Sequence, residues 1–535
     1  MAFRISRRLL LGTAIVGGGV LWGGTTLARL ARDPSGAKSL GRIADIDGKE
    51  LALQPLNPAP AYDAALPWAQ QGGEINDASA LSRTPVYGIV EVSEEKHIAD
   101  AIAFAKQNNL KISMAAIRHS MGGHAFDDNA LVLDMKKFNR IEIDETARTM
   151  TVQPGAVWHD IQNKLHPKFA VKAMQSTDIF SVGGSISVNA HGMDHQVGAL
   201  GGTIRSMRVM LADGSVVTCS REENADLFHH VVGGYGLFGV VLSATLDITD
   251  NAVYETRREI IKSEAFPAFF AEKLETDRNI GLFYGHLSTS PGNFLEDMIV
   301  YRYDKVADQP PADMPPLEEP GSVGIKRLIM NLAKYGGIFQ RLKWYAESEL
   351  EAESEACTVP RTEAMAEGEA CLVTRNNPMH DSVPYLFNDL HYETDILHEY
   401  FIPRGAYNDF IAGAREVLAA SPLAVLNASI RVVHAEDTAL SYAREPAFSL
   451  VLYINQAADD AGNSAMRALT RAMIDLTLKH RGRFFLPYQL HYTGAQLMAS
   501  YPELPAFLAK KKELDPAELF QSTFYRGLKM LTGVA

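Results

Sequence analysis

Two runs of small residues constrain this chain more than any other feature of it. The first is Ala115-Ala116-Ile117-Arg118-His119-Ser120-Met121-Gly122-Gly123-His124. The second is Ser176-Thr177-Asp178-Ile179-Phe180-Ser181-Val182-Gly183-Gly184-Ser185-Ile186-Ser187-Val188-Asn189-Ala190-His191-Gly192. Gly, Ser and Ala leave little side chain in the way, so peptide N–H groups in such runs can approach a bulky anion closely. Lys111 to Ile117 is an apolar lead-in to the first run and reads as a strand emptying into a loop.

The rest of the chain can be placed around these loops. Val86 to Val92 reads as a strand, Glu94 to Asn109 as an amphipathic helix, and Lys111 to Ile117 as a second strand, a β-α-β order that delivers the His119 loop. Ala130 to Met135, Ile141 to Ile143 and Thr149 to Val152 alternate as strands, and Val157 to His166 reads as a helix. Asp213-Gly214 predicts a hairpin between Arg205–Leu211 and Ser215–Thr218. Gly234-Tyr235-Gly236-Leu237-Phe238-Gly239 matches G-x-G-x-x-G, but Asn224 to Val232 before it reads as helix and Val240 to Ile248 after it as strand. A Rossmann turn needs the reverse order, so that fingerprint is rejected.

At 535 residues the chain is long enough for two domains. Its formal net charge of −13 argues against a nucleic-acid partner. Cys219, Cys357 and Cys371 make no disulfide framework; Cys357 and Cys371 are read either as a pair or as two buried thiols. No Cys/His spacing suggests a metal site.

Residues 1–31 read as a targeting segment: Arg4, Arg7 and Arg8 precede an apolar stretch, Leu9 to Ala28. Ser6-Arg7-Arg8-Leu9-Leu10-Leu11 is similar to a twin-arginine signal, and a membrane anchor is the other reading. Either predicts export, to the periplasm or to the outer side of the cytoplasmic membrane. Residues 32–84, rich in Pro, Ala and Gly, read as an N-terminal extension, with the folded core starting near Pro85. Residues 85–250 then form the domain around the two loops, 251–480 a second domain, and 481–535 a compact aromatic segment. Val323 to Tyr345 reads as one basic amphipathic helix carrying Lys326, Arg327, Lys334, Arg341 and Lys343, followed by an acidic run from Glu347 to Glu355. It is either a solvated surface helix or one that lies on anionic lipid.

The loop pair resembles the flavin-binding loops of the vanillyl-alcohol oxidase superfamily, whose FAD domain is of the p-cresol methylhydroxylase (PCMH) type. The closest pattern is that of the alditol and aldonolactone oxidases. The resemblance implies an α+β fold: a two-lobed FAD-binding domain, and a mixed α/β substrate (cap) domain with an antiparallel sheet. Leu514-Asp515-Pro516 to Phe520, with Arg526-Gly527-Leu528, resembles that family's closing segment, which returns to the flavin domain. Arg118-His119-Ser120 matches the loop in which the His carries FAD covalently. The other reading of His119 is a hydrogen bond within the loop, and His124 is a second candidate for the link. The resemblance places Ile117, Arg118, His119, Ser120, Met121 and Gly122 at the cofactor from the first loop. From the second it places Ser176, Ser181, Gly183, Gly184, Val188, Asn189, Ala190, His191 and Gly192 there. Val240 and Val241 would touch it after the Gly-rich turn.

On the substrate side, Ser429-Ile430-Arg431 is similar to the alditol-oxidase E-x-R strand, with Ser429 in place of Glu. Arg431 matches the residue that holds the substrate hydroxyl. Pro487-Tyr488-Gln489-Leu490-His491 replaces the family's P-H-W-G-K, so a protonated His491 would stand in for its Lys. His398-Glu399-Tyr400-Phe401-Ile402-Pro403 resembles the E-Y-F-I-P strand. Glu399 there either faces the pocket or pairs with an arginine. Pro154 stands where Ala tends to hinder oxygen and Gly or Pro to admit it; the plain alternative is a Pro154-Gly155 turn.

The implied function is removal of a hydride from a CH–OH group of a polyol, sugar, lactone or similar alcohol, with dioxygen or another acceptor as partner. Arg431, His491, Glu399 and Tyr488 are the candidate catalytic residues. Two rivals stay open: a membrane-associated dehydrogenase that passes electrons to a quinone or cytochrome, and a flavin-free binding protein on the same fold.

Overall fold

The computed structural model describes residues 45–52, 54–56, 58–307, 314–350, 372–386 and 392–534. The targeting segment, the acidic run beyond Glu349, and Cys357 and Cys371 lie outside them.

The first lobe is a four-stranded sheet of β1 (Trp68–Gln71), β2 (Gly88–Glu91), β3 (Ile112–Ala115) and β4 (Leu131–Asp134), ordered β1-β2-β4-β3. The pairs β2–β4 and β3–β4 are parallel, which needs a crossover. Helix α1 (Glu95–Gln107) supplies it and buries Ile98, Ala101, Ile102, Phe104 and Ala105 against the sheet. The spacing of those residues is one helical face. Strand β1 falls inside the stretch expected to be a spacer. Ile46, Leu51, Leu66, Ile75 and Leu81 are buried as well. The described residues between Ile46 and Leu81 are therefore part of the fold, because scattered single apolar residues pack without any periodicity to announce them.

The second lobe is antiparallel: β5 (Ile141–Asp144), β6 (Thr149–Val152), β7 (Phe169–Val171), β8 (Ile204–Met210), β9 (Val216–Ser220) and β10 (Val240–Asp250). Its order is β9-β8-β10-β6-β5, with β7 on the far part of β10. The β8–β9 hairpin turns at Gly214, φ +94°, as Asp213-Gly214 predicts. The rejected nucleotide fingerprint sits between a helix (Ala225–Val231) and β10. Gly239 there has φ +137°, and a Cβ on it would lie 2.8 Å from the Met210 carbonyl oxygen, so only glycine passes.

The cap is an eight-stranded antiparallel sheet of β11 (Val253–Lys262), β12 (Ile280–Leu287), β13 (Asp297–Ala307), β14 (Leu372–Thr374), β15 (Glu393–Pro403), β16 (Ala424–Val433), β17 (Ala447–Ala457) and β18 (Arg483–Phe484). The order is β14-β11-β13-β12-β16-β17-β15-β18. One face packs under two long helices, Tyr407–Ala419 and Asp460–Lys479. The chain then returns to the first lobe: Phe520 bridges to Ile112, Ser113 Oγ donates to the Gln521 carbonyl (2.8 Å), and Arg526 pairs with Asp127 and Asp128.

The single basic helix is two helices, Val323–Ala333 and Gly337–Tyr345, broken at Gly336 with φ +83°. Three of its five cations also turn inward, while Arg341 stays exposed and Lys326 half-buried. The Lys334 ammonium is buried against Glu393 (3.0 Å) and Asp395 (2.9 Å), Lys343 pairs with Glu347, and Arg327 donates to the Pro384 carbonyl. Interior carboxylates and carbonyls draw the long cationic side chains inward, and apolar residues are left facing out.

Candidate active site

A cavity of about 1730 Å³ runs between the two flavin-domain loops and the cap sheet. A pocket for one ligand is roughly 300–1,000 Å³, so this space has room for a cofactor and a substrate together.

The floor comes from the loops. Ile117 to Met121, Ser176, Ser181, Gly183, Gly184, Val188, Ala190 and His191 all line it, as do Val240 and Val241. The first loop is held from beneath by Asp77, a buried carboxylate that accepts from Ser120 Oγ (3.1 Å) and the Gly123 N–H (2.9 Å). Arg118 takes φ +58° to make the bend. In the second loop Ser181 caps the short helix Val182–Ser187 by accepting from the Gly184 N–H. Pro154 lies on the same wall, and its carbonyl accepts from Gly183 N–H at 2.9 Å.

Three of the expected cofactor residues do not reach the cavity wall. Asn189 is turned away at φ +47°; its amide donates to Glu436 (2.6 Å) and accepts from the Gly201 N–H (2.8 Å). Gly192 is packed against backbone, where a Cβ would sit 2.1 Å from the Met174 carbonyl. Gly122 lies behind the loop against the His124 ring. All three shape the loops from behind.

The ceiling is one face of the cap sheet. Side chains alternate along a strand, so Asn427, Ser429 and Arg431 on β16 share a face, as do Leu397 and Glu399 on β15 and Tyr284 and His286 on β12. Register sets them side by side: Glu399 faces Val451, Val451 faces Ser429, and Ser429 faces His286.

Floor and ceiling meet at a buried pair. His191 Nε2 lies 2.6 Å from Glu399 Oε1, both side chains about 5 % exposed or less. Glu399 also accepts from Ser449 Oγ and from the Tyr488 hydroxyl. Burial, and after it the charge of Glu399, pushes the Tyr488 hydroxyl's pKa far up, so it remains a donor. The other imidazole nitrogen, His191 Nδ1, is buried with no protein partner. Glu399 is thus a pocket residue that pairs with a histidine, not an arginine.

Arg431 lies beside them. Its Nε donates to Ser176 Oγ (3.0 Å), and its guanidinium stacks over the Tyr284 ring at 4.8 Å. No carboxylate among the described residues is within ion-pair distance of it. Burial lowers its pKa while the Tyr284 and Glu399 charges raise it.

His491 corrects the expectation of a cationic stand-in for lysine. It is buried off the cavity, and burial, with His398, Arg467 and Arg471 nearby, brings its pKa down to about 3. It is neutral at physiological pH. His119 is half-buried at the wall with its ring edge-on to Phe180 (5.1 Å), and desolvation lowers its pKa to about 4. His124 differs: its Nε2 is held 2.6 Å from the Tyr488 carbonyl oxygen.

The structure also gathers residues that no motif announced. Arg258, Tyr301 and Tyr303 line the cap end, next to His286, whose Nε2 lies 3.2 Å from Glu347. Burial alone would raise the Glu347 carboxyl, but Lys343 and His286 hold it at about 2. At the cavity edge, His159 and His380 stack between Asp178 and Glu319. The ligand atoms of His159, Glu319 and His380 lie within 4.8 Å of one another, close enough for one metal ion. Sequence separation hid that group.

The comparisons with known proteins agree with this geometry. Residues 86–220 match the model described as an FAD binding domain. An uncharacterised oxidoreductase of the fasciation locus of Rhodococcoides fascians is 29% identical over 217 residues, 39% of this chain and 45% of that protein. Decaprenylphosphoryl-beta-D-ribose oxidase of Mycolicibacterium smegmatis is 30% identical over 31% of this chain and 37% of its own length. L-gulonolactone oxidase of Mus musculus is 29% identical over 28% and 34% respectively. The chain thus spans less than half the length of these curated relatives. A solved structure titled solvent-stable cholesterol oxidase shares the fold over 89% of this chain and 99% of its own, with a TM-score of 0.64 at 15% identity.

The residues present fit FAD. The loop backbones are stripped of bulk, and the buried Nδ1 atoms of both His124 and His191, two residues of the cavity wall, lack a protein partner. Residues 86–220 match an FAD binding domain, and the chain shares its fold with the solved cholesterol oxidase structure.

Proposed function

We propose that this protein is an FAD-linked oxidoreductase that oxidises a CH–OH group. The observation that carries the reading is the buried His191–Glu399 pair, with the half-buried Arg431 on the same cavity wall beside the FAD loops. Bound FAD would supply a hydride acceptor. Glu399 accepts the Nε2–H of His191, which leaves Nδ1 as the nitrogen able to take a proton from the substrate hydroxyl. Arg431 holds the substrate oxygen and meets the negative charge that grows as the proton leaves. Tyr488 and Ser449 keep the Glu399 carboxylate in place through their hydrogen bonds.

The relatives' names, a lipid-linked ribose oxidase and a gulonolactone oxidase, support a sugar-like or lactone-like alcohol as substrate. Covalent attachment of FAD through His119 is supported by a half-buried, neutral imidazole on the cavity wall at the matched loop position. Pro154 on the wall supports dioxygen as acceptor. Export is supported by Arg7-Arg8 ahead of the apolar run.

Anaerobic addition of polyols, sugar lactones and hydroxylated lipids to the purified yellow protein should bleach the flavin with at least one class. Protein that binds no flavin would overturn the reading in favour of a binding module. Turnover in air compared with turnover on an artificial acceptor then separates oxidase from dehydrogenase.

A further inference from the structure

We propose that the helical hairpin Val323–Tyr345 docks on a lipid bilayer, and that the substrate is an alcohol that enters the cavity from that bilayer. The second half of this inference rests on the oxidoreductase reading above; the first does not. Large exposed apolar side chains are concentrated here. Ile325 is 60% exposed, Ile338 67%, Tyr335 52%, Leu342 49% and Tyr345 48%; Tyr392, just before the Glu393 that pairs with Lys334, is 81% exposed. These six form the larger part of the exposed large hydrophobic side chains among the described residues. Such a concentration marks a surface that is covered in use.

Two features select a bilayer as what covers it. First, the patch is continuous with the mouth of the cavity. Ile325 belongs to both, and Leu328, Ile329 and Met330 carry the apolar wall inward from it. A docked membrane would therefore open directly into the substrate space. Second, the residue types are those of a membrane interface: aliphatic tips at Ile325, Ile338 and Leu342, with tyrosines at Tyr335, Tyr345 and Tyr392 among them.

The mode of binding also follows. Lys334, Lys343 and Arg327 are committed to interior partners and Lys326 lies over the Tyr385 ring, which leaves Arg341 as the exposed cation of the five, on a chain with a net charge of −13. Attraction to anionic lipid is thus weak, and insertion of apolar side chains supplies the affinity. Docking should depend little on salt and should not require anionic lipid, the opposite of a basic helix on an anionic surface.

The test uses the full-length holoprotein with Cys357→Ser and Cys371→Ser, since Cys219 is buried. An environment-sensitive fluorophore is placed at Ile338→Cys, and at Val216→Cys on the flavin domain as an exposed control. Phosphatidylcholine vesicles should shift the emission to the blue at position 338 and not at 216, with little change when salt is raised or phosphatidylglycerol added. Ile338→Glu with Leu342→Glu should weaken vesicle partition roughly ten- to a hundredfold, with oxidation of a water-soluble substrate unchanged. No shift at 338, an equal shift at 216, or a shift that follows protein concentration without vesicles would overturn the docking; the last would assign the patch to a second copy. A shift at 338 with no flavin bleaching by any vesicle-borne alcohol would leave the surface standing and overturn the substrate class.

Discussion

The floor and the ceiling of the cavity are built by opposite means. The floor is two contiguous loops, each a single run of small residues. The ceiling is a row of side chains from five or more strands, far apart in sequence and adjacent only by register. Glu399, Val451, Ser429 and His286 are neighbours because three strand pairings align, not because any segment names them. Contiguous loops can be read from a sequence, whereas rows across a sheet cannot. The floor residues found from sequence line the cavity with three exceptions, and those three, Gly122, Asn189 and Gly192, brace the loops from behind. On the ceiling Arg431 and Glu399 were legible through short strand motifs, and Tyr488 through a partly matched one. His491 was misplaced by that same partial match, because nothing local shows which way a strand end turns. Tyr284, His286, Arg258 and the partner of Glu399 needed the fold.

The first way to break the contrast is at the floor alone. His119→Ala should abolish retention of flavin after acid precipitation, while the wild type keeps its colour in the pellet. Free flavin in the wild-type supernatant would show that the loop holds its cofactor by shape only.

The second acts where floor and ceiling touch. His191→Gln should slow flavin reduction by about 10²- to 10⁴-fold, the usual range for a lost general base. Glu399→Gln, which keeps the hydrogen-bonded geometry but lessens the pull on Nε2–H, should cost less than His191→Gln. A larger loss for Glu399→Gln would make the carboxylate itself the base and move the chemistry to the ceiling.

The third is on the ceiling. Arg431 is a half-buried guanidinium with one hydrogen bond to another side chain and an aromatic ring beneath it. Hydrogen bonds to a charged group contribute about 1.5–3 kcal/mol. Arg431→Met should therefore slow reduction about ten- to a hundredfold, with FAD still bound. Stopped-flow bleaching measures it. A normal rate would leave Arg431 a packing residue for Tyr284 and Ser176.

The smallest effect concerns stability, where the two regions are tied together at the cavity edge. His159 and Asp178 belong to the flavin domain; Glu319 and His380 belong to the cap. The two imidazoles stack with ring centroids 4.6 Å apart. Both Nδ1 atoms reach the same Asp178 oxygen, at 2.9 and 3.0 Å, and the Nε2 atoms lie 3.4 and 3.5 Å from Glu319. Burial works against charge on His380, yet the hydrogen bond and charge of Asp178, with Glu319, hold its pKa above the ordinary imidazole value. Burial likewise opposes ionisation of Asp178, and its bonds to His380, Ser382 and His159 still keep its pKa below the usual carboxylate range. The signs are opposite. A raised imidazole stabilises the fold fully below its unfolded pKa, and that contribution is lost as pH rises through the raised folded value. A lowered carboxylate stabilises above its unfolded pKa, and its contribution is lost as pH falls through the lowered folded value. The latch is therefore strongest between the two ordinary values, about pH 4 to 6.5. His380→Gln should lower stability there by about 1–3 kcal/mol, seen as a drop in Tm, and the gap to the wild type should narrow as the pH is raised past the imidazole range. A gap that stays constant from weakly acid to alkaline pH would mean that His380 holds the cap as a neutral hydrogen-bond donor. The seam between floor and ceiling would then be as insensitive to protons as the loops themselves.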